Sequence, residues 1–260
     1  MILSSAVLLW LLACAFFPHL LAPADPLAVH PARGFLPPSP AAILGTDESG
    51  RGVYTRIVHG AAASLSIGAG ATALGIVLGT LLGTMAGLGP RWLDFGTSRL
   101  LEVLFAFPGL LLALLFIVVY GPGGATSAIA VGLATAPGYA RIIRSQMITV
   151  RQAPYVEALV VLGRGPWHRF WHSILPNVAE ALFALVTLGV GQSIVWASSL
   201  SFLGLGTPPP AAEWGAMLAD GRTYLGTAWW MTFFPGLVIV LAAAACTVLG
   251  RRLQGKARRS

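Results

Sequence analysis

Tyr155–Asn177 reads YVEALVVLGRGPWHRFWHSILPN, and the reading of this stretch decides the fold. It sets Glu157, Arg164, His168, Arg169 and His172 between two apolar runs, Ala125–Ile143 and Val178–Leu200. A spanning helix needs about 20 mostly apolar residues, so the stretch reads as a polar link between two membrane spans. Pro154 breaks the chain ahead of it, and the residues that follow predict a short amphipathic helix ended by Gly163 and Gly165-Pro166. Ala158 and Gly163 are small and admit the close approach of another surface. Glu157 lies in the first turn, where a carboxylate favours the helix N-terminus by ~0.3–1 kcal/mol, or it reaches a basic group on a neighbouring protein. Leu175-Pro176 is expected to redirect the chain into the next helix. Leu159, Val160 and Val161 would form a costly exposed patch unless covered, either by a protein interface or by the membrane surface.

Composition supports the membrane reading. Of 260 residues 56% are hydrophobic and only 10% charged, with a mean hydropathy of +0.79. A soluble domain has too little interior to conceal so much apolar surface. Six runs qualify as spans: Ile2–Leu21, Ala61–Leu88, Val103–Tyr120, Ala125–Ile143, Val178–Leu200 and Met231–Gly250. The fold class expected is therefore an all-α membrane protein of six transmembrane helices. Its divisions are a first helix (1–22), an external Pro-rich segment with a short helix (23–60), a five-helix core (61–250) holding the polar loop 151–177, and a basic tail (251–260). Leu11-Leu12-Ala13-Cys14 resembles a lipoprotein cleavage box, but no Lys or Arg precedes the apolar core, so the first run reads as a retained helix.

The net charge of +7 sorts by topology. With the N-terminus inside, the inner segments hold Arg91, Arg99, Arg141, Arg144, Arg151, Arg164, Arg169, Arg251, Arg252, Lys256, Arg258 and Arg259. The outer ones hold Arg33, Arg51, Arg56 and Arg222, a split of 12 to 4. That is the positive-inside pattern, with both termini cytoplasmic, and it removes the case for nucleic acid. Cys14 and Cys246 lie in apolar runs without metal-ligand spacing. His168 and His172 are four apart, but no third ligand is evident, and neither a metal nor a cofactor is expected. Gly121-Pro122-Gly123-Gly124 lacks the context of a phosphate loop and reads as a turn.

Elsewhere, Pro23 to Pro40 contains six prolines and predicts an extended path. Asp47 is placed to cap a short helix from Ser49 toward Gly60. Gly75, Gly79, Gly83 and Gly87 form an i+4 ladder that lets two helix backbones approach closely in lipid, within the subunit rather than between subunits. Phe107-Pro108-Gly109 marks a kink near the start of the third span, after a Gly89–Glu102 link. Pro137 to Arg144 closes the fourth.

Several of these stretches carry a resemblance. Tyr155, Glu157-Ala158, Gly163 and Leu175-Pro176 resemble the "EAA…G…LP" docking loop of permeases of ATP-binding-cassette importers. Leu44–Val53, LGTDESGRGV, is similar to the signature preceding the second helix in the C-type permeases of the dipeptide, oligopeptide and nickel importers, with Gly52 where those usually have Asp. Pro137, Tyr139-Ala140-Arg141 and Arg144 resemble the family's approach to its loop. Leu200–Gly206, Pro208-Pro209-Pro210 and Trp214-Gly215 are very like its "LSFLGLGxxPPxxxWG", and Pro235-Gly236-Leu237 opens the last span. The chain departs at Leu159, Val160 and Ser173, which make the loop greasier, and in its tail, which lacks the family's acidic stretch.

What the resemblance implies is a type I importer permease fold with a cytoplasmic coupling helix. The chain would form half of a pore for di- or oligopeptides, or for nickel or another small solute in the same architecture. Its partners would be a B-type permease, two ATP-binding subunits, an extracytoplasmic substrate-binding protein and membrane lipid. The rival class, an ion-coupled transporter, would place ionisable residues at membrane depth. Of Asp, Glu, Lys and Arg the middles of the six apolar runs contain none; Glu102, Arg141 and Glu180 lie at run ends.

Overall fold

The computed structural model describes residues 2–257, with all side chains in that range except those of Glu180, Ala181 and residues 253–257. The last residues of the basic tail, Arg258 and Arg259 among them, and the side chain of Lys256 therefore lie outside the described residues, as does that of Glu180.

The first run is helix α1 (Ile2–Phe16), and Pro18 starts a separate short turn α2 (Pro18–Leu21). The Pro-rich segment is not extended. It wraps back on the Asp47 loop, with the His30 N–H donating to Ser49 O (2.8 Å), Phe35 to Asp47 O (3.0 Å) and Thr46 to Leu36 O (2.9 Å). Prolines cannot donate, so the neighbouring residues carry the pairing.

Helix α3 (Val53–Leu88) is the axis of the molecule. It starts eight residues before the expected Ala61, because Gly52 takes the N-cap position and nothing interrupts the chain at Gly60. The separate short helix expected from Ser49 does not exist. Asp47 instead accepts from the N–H groups of Ser49 (3.0 Å) and Arg51 (2.9 Å) in the loop before α3.

Helix α4 (Arg91–Ala106) occupies what the sequence presents as a link, and α5 (Gly109–Tyr120) follows a bend of 88°. Val103–Tyr120 is thus a broken run: Pro108 lacks the N–H that would continue α4. Helix α6 (Gly124–Arg151) runs through Pro137 and eight residues past the expected end at Ile143. A bidentate contact from Arg144 to Asp94 Oδ1 (3.0 and 2.8 Å) pins α4 to α6, and the Arg141 guanidinium lies 3.8 Å from the centre of the Phe105 ring.

The polar link forms α7 (Pro154–Val161) and α8 (Pro166–Arg169), and a π-helical turn at Phe170–Ile174 joins α8 to α9 (Leu175–Phe202). Leu175-Pro176 does not redirect the chain. Leu175 is helical (φ −58°, ψ −45°) and its N–H reaches Phe170 O. The wider turn accommodates Pro176, which cannot donate and would crowd the carbonyl four residues back in a regular helix. The chain closes with α10 (Trp214–Gly221) and α11 (Trp230–Ala257).

Three apolar clusters follow one another down α3. Val53, Ile57 and Ala61 meet Leu11, Trp214, Met231 and Ala242; Ile67 and Ala71 meet Ala113, Val131 and Leu200; Ile76 meets Ile143, Met147, Val178 and Leu185. The glycine ladder faces α6: a Cβ at Gly79 would stand 2.6 Å from Tyr139 Cβ, and one at Gly87 2.8 Å from Met147 Cβ. Gly75 and Gly83 meet Thr135 and Ala140 in the same way. Among the described residues α3, Leu182–Phe202 of α9 and Trp230–Arg252 of α11 are each long and apolar enough to cross a membrane, and the bent α4–α5 pair makes a fourth if it is one span.

Candidate functional site

Helix α7 is anchored at one residue and open elsewhere. Val156 is buried, whereas Tyr155, Glu157 and Ala158 are exposed. Pro154 supplies the first turn without needing a donor, and the N–H groups of Val156 and Glu157 close on Ala153 O at 2.9 and 3.2 Å. Glu157 makes no side-chain cap; its carboxylate acts on the helix N-terminus only through its charge.

The far end of α7 is a Schellman motif. Gly163 has φ +73°, its N–H donates to Val160 O (3.0 Å), and the Arg164 N–H donates to Leu159 O (2.9 Å). Leu159 is half-buried, but Val161 and Leu162 are 88% and 73% exposed. Nothing within 4 Å would meet a Cβ at Gly163, so glycine stands there for its backbone angle rather than for space inside the chain.

Beyond Gly165 the surface is aromatic and basic. Trp167 packs edge-on to Trp171, and the rings of His168 and His172 stack at 4.2 Å. The His172 Nδ1 lies 3.1 Å from His168 O. Desolvation, then the charges of His172 and Arg164, lower the pKa of His168. Among the described residues no group of three or more His, Cys, Asp or Glu is placed to hold a metal ion. Leu175 is half-buried and Pro176 exposed where α9 begins. Tyr155, Glu157, Ala158, Gly163, Leu175 and Pro176 therefore belong to one connected segment at one end of the bundle.

The other end holds a polar knot that sequence reasoning overlooked. Arg56, counted above as a loop charge, is 1% exposed on the first turn of α3. It donates to Pro210 O (3.3 Å) and Ala211 O (3.2 Å) and stands 3.6 Å from Asp47 and 3.9 Å from Asp220. Arg51 bridges Asp47 and Glu48, both at 2.7 Å. Glu213 caps α10, accepting from Gly215 N (2.8 Å) and Ala216 N (2.9 Å), and Ser64 bonds both Glu213 and the Trp214 backbone. The fully buried Trp214 indole donates to Ile57 O at 2.9 Å. The signal was four charges within ten residues, Asp47 to Arg56, in a chain poor in charge.

Comparison with known proteins places these two ends in context. Residues 75–259 match the family described as "Binding-protein-dependent transport system inner membrane component". The chain is 37% identical to the Di/tripeptide transport system permease protein DppC of Pseudomonas aeruginosa over 255 residues, 95% of this chain and 84% of that protein. It is 38% identical to the Glutathione transport system permease protein GsiD of Pectobacterium atrosepticum over 217 residues, 84% of this chain and 72% of that one. Among solved structures it resembles the inward-facing MetNI methionine ABC transporter, with a TM-score of 0.64 at 16% identity, covering 78% of this chain and 96% of that one. An amino acid ABC transporter superposes with a TM-score of 0.61 at 15% identity, over 79% and 94% of the two chains.

Proposed function

Because the chain belongs to the binding-protein-dependent transport permeases, we propose that it forms half of the pathway of a peptide importer driven by a separate ATPase. Its partners are then a B-type permease, two ATP-binding subunits and an external substrate-binding protein. The reading puts the chain in the inner or plasma membrane of a bacterial or archaeal cell, crossing it several times, with both termini and α7 and α8 on the cytoplasmic side. Peptide is the substrate class carried by relatives that match most of their length. The chain itself is non-catalytic in this reading: its sequence offers no phosphate-binding loop.

One observation carries the coupling assignment. The exposed apolar tip, Val161 and Leu162, ends in the hydrogen-bonded Gly163 Schellman turn. A tip left bare would be a costly patch, and an ATPase groove supplies its cover. Tyr155, Glu157 and Ala158 lie on the same helix, and Leu175-Pro176 passes the movement into α9.

The test is Gly163→Trp and Gly163→Asn in the assembled complex, reconstituted with its ATPase subunits. Asn tolerates the left-handed backbone and should keep most ATP-driven peptide uptake. Trp should leave membrane insertion unchanged but release the ATPase subunits or uncouple hydrolysis from uptake. Normal uptake and normal ATPase retention in Gly163→Trp would refute the docking role. A reporter after Ser260 and another near Pro209 should report opposite sides of the membrane; both on one side would remove the topology.

A further inference from the structure

Between the α7–α8 segment and the last two turns of α3 lies an open groove of about 690 Å³. It is amphipathic along its length. One wall is Leu81, Met85 and Leu88 of α3; Phe170 and Trp167 face it; Arg151, at the end of α6, and Arg169, in α8, form its polar part. Leu81 to Leu88 is two helical turns, about 10 Å of trough.

No acidic residue lines the groove. The nearby carboxylates are otherwise placed: Asp94 is taken by Arg144, and Glu157 does not reach the lining. The Arg169 Nε is buried and without a hydrogen-bond partner. A buried guanidinium N–H left unpaired is costly, and it fits a charged acceptor best. A second observation agrees with an interfacial depth: Trp167 and Trp171, one turn apart, are exposed, as aromatic residues are at the headgroup level of a bilayer.

We propose that this groove binds an anionic phospholipid, its phosphate held between Arg151 and Arg169 and one acyl chain laid along Leu81, Met85 and Leu88. Basic pockets at the end of a helix bundle recognise such headgroups by charge, and the apolar trough selects a lipid over a free anion. The inference rests on the bundle spanning a bilayer and is independent of what the pathway carries. A lipid seated here would fill the space under the α7–α8 segment and stiffen it where α9 begins.

The experiment uses the assembled complex, delipidated in detergent and titrated with phosphatidylglycerol or phosphatidylethanolamine under native mass spectrometry. Phosphatidylglycerol should be retained preferentially. The double variant Arg151→Gln, Arg169→Gln should bind it about tenfold more weakly or worse, at an unchanged thermal midpoint. Met85→Trp, which fills the trough, should reduce phosphatidylglycerol binding with both arginines intact, and millimolar inorganic phosphate should not displace the lipid. Equal retention of the two lipids would overturn the proposal, as would wild-type binding by the arginine pair variant. Displacement by phosphate alone would show an anion site and overturn the lipid assignment. Cross-linking of Met85→Cys to a partner subunit would show that protein fills the groove. Loss of lipid binding with ATP-driven uptake retained leaves the transport reading standing, so the two fail separately.

Discussion

The two ends of α3 solve opposite problems. Arg56 and Met85 are 29 residues apart in one helix, about 43 Å at 1.5 Å per residue, which exceeds the roughly 30 Å apolar core of a bilayer. At the Arg56 end the charged groups are turned inward and paired with one another, leaving the buried Glu48 Oε2 and Thr232 Oγ1 without a partner among the described residues. Asp47, Arg51, Arg56 and Glu213 are all buried, and the loops before α3 and α10 are tied to the helices they precede. At the Met85 end the chain is unfinished: Val161, Leu162 and Trp167 are exposed and Arg169 Nε lacks a partner. An end whose charges are paired within the chain holds its shape without help, whereas an end with bare apolar side chains and an unpaired guanidinium N–H is shaped to be completed by something else. The contrast implies that substitutions at the first end act on stability and those at the second on association.

The strongest way to break this contrast is Arg56→Ala. It takes the positive charge from beside Asp220, leaves Asp47 with Arg51 alone, and leaves the Pro210 and Ala211 carbonyls without their donor. Removing one partner of a buried ion pair costs roughly 3–5 kcal/mol. The purified variant should show a large fall in thermal midpoint or fail to accumulate in the membrane. Arg56→Lys should rescue little, since a single ammonium cannot reach two carbonyls and two carboxylates as a fork does. A full-strength midpoint for Arg56→Ala would show that the knot is ornamental.

At the other end, Val161→Asp with Leu162→Asp should leave the thermal midpoint of the isolated chain unchanged, because both side chains already face outward. Under the proposed docking the same pair should weaken retention of the ATPase subunits at least tenfold. Fully burying each of two such side chains contributes roughly 1.5–3 kcal/mol, and the carboxylates add a desolvation cost. Co-purification at graded salt would measure this. Unaltered retention would mean that the tip meets no protein.

What the sequence revealed follows from which interactions are local. The apolar runs, the Gly163 turn and the ladder Gly75 to Gly87 each announce themselves within one segment, by periodicity or by a residue type with one dominant use. The knot did not, because Arg56 finds its partners across more than 150 residues at Pro210, Ala211 and Asp220, and the motifs around Asp47 and Trp214 are separated in sequence though joined in space. The helix ends were misplaced for a related reason. Polar residues in Val53–Gly60 and Arg144–Arg151 look like loops by hydropathy, yet helices continue past the apolar core when tertiary packing supports them. The bend at Pro108 was visible; its 88° is set by what α4 and α5 pack against. The groove beneath α7 is assembled from several helices and leaves no mark in any single stretch.

A smaller effect separates capping from packing within the knot. Glu213→Ala removes two N–H acceptances at the start of α10 and the partner of Ser64, while Trp214 can keep its bond to Ile57 O. Loss of an N-cap costs roughly 0.5–2 kcal/mol. The midpoint should fall by less than for Arg56→Ala, and Glu213→Gln, which still accepts, should recover part of the loss. A fall equal to that of Arg56→Ala would mean that the knot unravels as one unit, in place of the graded hierarchy argued here.

The smallest expected effect, and the finest probe of the knot, is Asp220→Asn. Burial, and then the negative charge of Glu48, raise the Asp220 pKa; the positive charges of Arg56 and Arg51 oppose that rise, and Asp47 adds to it. A carboxyl whose folded pKa lies above its unfolded value binds its proton more readily when folded. Its contribution to stability is therefore largest at low pH and declines as pH rises from the ordinary aspartate value through the raised one. Near neutrality the ionised group is held against its preference, and its nearest contact with Arg56 is only 3.9 Å. Asp220→Asn should then leave stability at pH 7 within about 0.5 kcal/mol of the parent, the range of an ordinary substitution, and should flatten the decline between acid and neutral pH. Thermal midpoints across that range, for parent and variant, would measure both. A marked loss in Asp220→Asn at neutral pH that shrinks as the pH falls would instead show that Asp220 is a full ion-pair partner of Arg56, and would place it with Asp47 among the groups that hold this end closed.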